Sequence, residues 1–178
     1  MFNLSKIERQ EYLDKHLPHR LNSMLSPDLI TFRRSTNISN EMRESCYKDS
    51  LVLEPTFEIS IIFARALLQF LGIGFDPRSN ELITYSPRLT DLTLKSIYPD
   101  RDFVSLDDPL IIPMRPNLCT IIKVANKSVA HLTSSLSNAN EHELLPEARI
   151  TTYRLMLKYV PDINKSRIWW HEQVENVR

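Results

Sequence analysis

The stretch Thr56–Leu71 limits the fold of this chain more than any other. On a helical wheel its apolar side chains nearly encircle the axis, and only Glu58, Arg65 and Gln69 form a narrow polar stripe. A helix apolar on almost every side has to be surrounded by other elements, so this one is expected in the middle of a helical bundle. Pro55 is expected to separate it from what precedes, Thr56 to cap it, and Glu58 to sit at the positive end of its dipole. Gly72 is expected to close it in the left-handed conformation. The stretch is too short and too polar for the roughly 20 apolar residues of a membrane span.

Only two glycines, Gly72 and Gly74, accompany 11 prolines, which disfavours glycine-rich hairpins and phosphate loops and favours helices punctuated by proline. The expected class is therefore mainly α: a bundle of about five to seven helices with a proline-rich irregular insertion and at most one short hairpin. With 178 residues and 42% hydrophobic composition, positions 1–178 are enough for a single helical domain with a real core. The 22 basic and 22 acidic side chains cancel, so no global field draws nucleic acid, an anionic membrane or an acidic partner. Cys46 and Cys119 fall in segments that read as helical, and reduced buried thiols are expected rather than a disulfide. No N-terminal apolar run follows a basic region, so a cytoplasmic location without a signal peptide or membrane partner is expected.

Along the chain, Ser5-Lys-Ile-Glu8 has the capping-box pattern, and the helix it opens should kink or restart at Pro18. Ser26-Pro27-Asp28 reads as a turn, Leu29–Arg34 as a short helix, and Ser39 as the cap of a helix over residues 40–53. Residues 72–115 carry five prolines and read as an irregular crossing segment. Within it Asp76–Asn80 is a turn, Glu81–Tyr85 is strand-like, Thr90 caps a helix over 91–97, and residues 100–113 form a loop holding Asp107 and Asp108. Pro116–Leu132 reads as a helix with Leu118, Ile121, Ile122, Ala125, Val129 and Leu132 on one face, and Thr120, Lys123, Lys127 and His131 on the other. Asn126 lies on the border. Thr133–Asn140 reads as a flexible connection, Pro146 or Glu147 as the start of a helix to Val160, and residues 164–174 as a last helix carrying Ile168, Trp169 and Trp170.

The segment Ala125-Asn-Lys-Ser-Val-Ala-His131, near the end of a helix in a bundle, resembles the signature of the HEPN family (higher eukaryote and prokaryote nucleotide-binding). That signature is an arginine, often followed by a polar residue, then a histidine four to six residues on. Here Asn126 stands at the arginine place, Lys127 at the following polar place and His131 at the histidine place. The resemblance implies a homodimer whose paired motif helices surround an RNA phosphate, and metal-independent cleavage without cofactor or metal. His131 would act as general base or acid, Lys127 would stabilise charge on the phosphate, and Asn126 would position the group. Asparagine lacks the forked charge of arginine, so an inactive, RNA-binding relative also fits. The rival reading is a non-catalytic module that associates with a protein partner, in which His131 merely caps a helix C-terminus.

Other candidates point to chemistry less directly. Arg115, Lys123 and Lys127, with Arg149, Arg154 and Lys158 on the following helix, could build a local basic surface. His16 and His19 have a chelating spacing spoiled by Pro18, and Asp107-Asp108 and Glu141-His142-Glu143 read as solvated acidic runs. Trp169 and Trp170 are read as packing or dimerisation residues rather than as a platform for bases. The chain has no nucleophile elbow, phosphate-binding glycine loop, dinucleotide fingerprint or His-Glu-x-x-His helix.

Overall fold

A computed structural model describes residues 4–37, 50–129 and 139–169. Six α-helices and one hairpin are built from them: α1 (Lys6–Glu11), α2 (Leu17–Asn37), α3 (Ser50–Phe70), β1 (Ile73–Asp76), β2 (Glu81–Thr84), α4 (Leu94–Ile97), α5 (Arg115–Val124) and α6 (Ala139–Tyr159). The mainly α class and the short hairpin are as expected. The helix carrying the apolar stretch, α3, packs against α2, α5, α6 and β1. Its Ile61, Ala64, Leu67 and Leu68, with Leu71 just after it, lie in one buried apolar cluster with Leu21 and Met24 of α2, Ile121 of α5 and Leu155 of α6.

The chain starts as its capping box dictates, with Glu8 N donating to Ser5 Oγ at 3.3 Å and Ser5 N donating to Glu8 Oε2 at 2.8 Å. Between α1 and α2 the helix widens into a π turn, Tyr12–His16, with Leu17 N donating to Tyr12 O. Pro18 gives the reason. Having no N–H, it leaves the Leu13 carbonyl without its local donor, and Asn164 N, far along the chain, fills that place at 3.1 Å.

Three prolines do not end helices where the sequence suggests. Pro27 lies inside α2, Pro55 inside α3 and Pro146 inside α6, and each of these helices has 21 residues. The predicted turn at 26–28, the break at Pro55 with its Thr56 cap, and the helix start at Pro146 are thus corrected. An interior proline costs about 3 kcal/mol, but burial of Met24, Leu25 and Pro27 in α2 and of Leu145 and Ala148 in α6 outweighs it. The proposed cap Ser39 and most of the helix over 40–53 lie outside the described residues, as does Cys46.

Gly72 takes φ +90° after α3, as expected, and a Cβ there would sit 2.3 Å from Phe103 Cγ. The hairpin pairs Ile73 with Thr84 and Asp76 with Glu81. Asp76 holds its turn by accepting from Arg78 N at 3.0 Å and Ser79 Oγ at 3.0 Å, while Asn80 takes φ 57°. Thr93, not Thr90, precedes α4, which is shorter than expected. Residues 98–114 then cross the bundle, with Val104 N donating to Leu71 O at 3.1 Å. The expected helix over 164–174 is, in its described part, a 3-10 turn (Lys165–Arg167) followed by extended Ile168.

Candidate functional site

The motif region starts on a regular helix and ends on an irregular one. In α5 the faces divide as the periodicity demands, with Leu118, Ile121 and Ile122 buried and Thr120 and Lys123 half-buried. After Val124 the helix widens into a second π turn, Ala125–Val129. Ala125 is buried, and both Asn126 and Lys127 are exposed. Val124, absent from the expected apolar face, is buried too. His131 lies outside the described residues.

Asn126 is held from a neighbouring helix. Arg65, at the centre of the polar stripe of α3, donates from Nη1 to Asn126 Oδ1 at 2.9 Å. Its Nε is buried with no hydrogen-bond partner. The site that lacks an arginine at position 126 thus receives a guanidinium from α3, a contribution that the reading along one helix missed. The signal was present: a charged residue in the middle of a helix expected at the bundle centre needs a partner or an outlet. Tyr85 Oη donates to Asp91 Oδ2 at 2.7 Å, and Arg88 N donates to the same oxygen at 2.8 Å. Burial and the Asp91 bond raise the Tyr85 phenol above its ordinary range, and the Tyr85 hydroxyl lowers the Asp91 carboxyl.

The expected basic surface does not form as one patch. Arg149 is buried, its guanidinium 5.6 Å over the Phe57 ring. Arg115 Nη2 donates to Leu106 O at 2.7 Å and to Asp107 Oδ1 at 3.0 Å. Lys158 Nζ donates to Asp108 Oδ2 at 2.6 Å.

Asp108, read as a solvated loop residue, is only 4% exposed. It also accepts from Leu110 N at 2.8 Å and makes a very short hydrogen bond with the Tyr159 hydroxyl. Burial pushes its carboxyl up, but the Lys158 and Tyr159 hydrogen bonds outweigh that and leave it below the usual carboxylate range. The Asp108 bonds tie the crossing segment to the end of α6. Asp107 joins the start of α5, which at 1.5 Å per residue is about 16 Å from Asn126, so neither aspartate enters the motif region.

No group of three or more metal-ligating side chains occurs among the described residues. His16 lies 4.8 Å from the Tyr12 ring, and His19 meets the Phe63 ring edge-on at 6.3 Å. Of the Glu141–Glu143 group only the Glu143 side chain is described, and it is exposed. Cys119 is half-buried and free, beside a groove of about 380 Å³ between α5 and the hairpin, and burial raises its thiol above the ordinary range. A thiol so placed stays protonated at neutral pH and is a poor nucleophile. No described helix is long and apolar enough to cross a membrane.

Comparisons with family models, with curated proteins and with solved structures give no match. The HEPN resemblance therefore rests on the motif residues alone.

Proposed function

We propose that the chain is an HEPN-like RNA-binding protein whose phosphate contact lies at the end of α5, built from Asn126, Lys127 and, from α3, Arg65. The observation that carries this reading is the 2.9 Å hydrogen bond from Arg65 to Asn126. It puts a planar, permanently charged group beside the position where the resembled motif carries its arginine, and π turns of this kind occur often at functional sites. In a homodimer, two such helix ends would flank one RNA strand. His131, following on the same segment, would take the ribose 2′-hydroxyl proton while Lys127 and Arg65 stabilise the charge developing on phosphate.

Incubation of the pure protein with mixed RNA in EDTA, beside folded His131→Ala and Lys127→Ala proteins, tests this. Cleavage leaving cyclic-phosphate ends and lost in the His131→Ala protein supports the nuclease. RNA binding without cleavage, weakened in the Lys127→Ala protein, supports the inactive relative. Neither binding nor cleavage defeats both. That outcome would favour the second reading, a protein-interaction module, for which the specific observation is the exposure of the large apolar side chains Leu89 (80%) and Ile7 (81%).

A further inference from the structure

A second surface, outside the motif region, has the chemistry of a nucleotide site. Trp169 is 69% exposed, yet its backbone is fixed. Asn22, itself buried in α2, accepts from Trp169 N at 2.9 Å and donates to Arg167 O at 2.8 Å. Ile163 and Ile168 anchor the same segment in the core. The backbone that carries the indole is therefore tied to α2 and to the core.

It borders a groove of about 330 Å³ lined also by Lys15, Pro18, His19, Asn22, Ser166 and Arg167, with no carboxylate among the described lining residues. Lys15 is shared with Glu11 at 3.1 Å on an exposed rim, and Arg167 is exposed. An aromatic plane beside cations matches a base that stacks and a phosphate that pairs. A purely apolar partner would press hydrocarbon against the charged Arg167 and the polar His19.

We infer that this groove binds one nucleotide of single-stranded RNA, the base stacked on Trp169 and the phosphate against Arg167 and Lys15. The inference rests on the RNA reading above and adds a contact independent of Lys127 and His131. It takes Trp169 as a platform for a base, where the sequence reading favours packing or dimerisation.

The test is the affinity of a dye-labelled oligouridylate for the full chain and for Trp169→Ala, Trp169→Phe and Arg167→Ala proteins, with folding checked by circular dichroism. Trp169→Ala should weaken binding about tenfold, while Trp169→Phe, which keeps an aromatic face, should retain most of it. Arg167→Ala should weaken binding and lower the salt slope by about one. In a Trp170→Phe background, oligouridylate should quench the emission of Trp169. Unchanged affinity in the Trp169→Ala protein, or no quenching, overturns the proposal. So does a fall in oligomeric state caused by Trp169→Ala, which would assign the groove to contact with a second copy. Lys127→Ala separates the two readings: binding that depends on Trp169 but not on Lys127 sinks the α5-end site and leaves this one standing, and the opposite pattern does the reverse.

Discussion

The two π turns among the described residues share one hydrogen-bond pattern and have different fates. Tyr12–His16 has a covalent cause in Pro18, and the carbonyl it strands is taken by Asn164 from the far end of the sequence. Ala125–Val129 has no proline in residues 130–145, which follow it. Its exposed side chains reach outward, with Asn126 held by Arg65. One irregularity is absorbed into tertiary structure; the other presents polar groups at a surface. A helix defect forced by sequence and closed by backbone is architecture, whereas one without a local cause that presents a positioned amide and cations is where binding is expected.

Substitutions can break or sharpen that contrast. The polar cluster around the buried Asp108 sets the scale: Asp108→Ala should cost about 2 to 3 kcal/mol in urea unfolding, because it strands the half-buried donors of Tyr159 and Leu110. The folded Asp108 carboxyl lies below its ordinary value of 3.8. Its stabilisation is complete above that value and is lost as pH falls through the lower folded one, so the variant should flatten this part of the acid limb.

Asn22→Ala should cost about 2 kcal/mol, since Trp169 N–H and Arg167 C=O lose their partner, and amides of residues 164–169 should exchange faster. A loss below about 0.5 kcal/mol would mean that the Arg167–Trp169 segment is not held to α2 as described. Pro18→Ala should change stability by less than about 1 kcal/mol, because a regained hydrogen bond offsets the lost restriction of the unfolded chain. It should also lower protection of the Asn164 amide.

Arg65→Ala and Asn126→Ala should each move stability by less than about 1 kcal/mol while lowering RNA affinity several-fold. Large destabilisation with unchanged affinity would make the second π turn as structural as the first. The smallest effect is alkaline. Burial and the Asp162 bond push the Tyr98 phenol up from 10.0 to about 12. Stability should hold below pH 10 and fall as pH rises toward 12, less steeply in Tyr98→Phe.

What could be read from the residues was local or strongly periodic. The Ser5 capping box, the Gly72 terminus, the Asp76–Asn80 turn and the central place of α3 each follow from a rule that acts within one turn or one helix face. The prolines misled because their cost is local while the apolar burial that overrides it is tertiary, as the cluster around Met24 and Leu145 illustrates. Asp108 and Arg149 looked like surface charges because their partners, Tyr159, Lys158 and Phe57, are about 50 or more residues distant. Of the candidate site, Asn126 and Lys127 came from the resemblance to the motif, and Arg65 was not legible, since nothing along one helix says which neighbour it will face.

The junction at Gly72 has a kinetic meaning. Leu71 O receives Val104 N, Gly72 O receives Tyr85 N at 2.8 Å, and the Phe103 ring occupies the space a Cβ would need. The end of α3, the exit of the hairpin and the crossing segment are thereby closed by one short stretch of backbone. None of the three can reach its place while another is absent, so the amides of Tyr85 and Val104 should open together in hydrogen exchange as one cooperative unit, although neither belongs to a long helix.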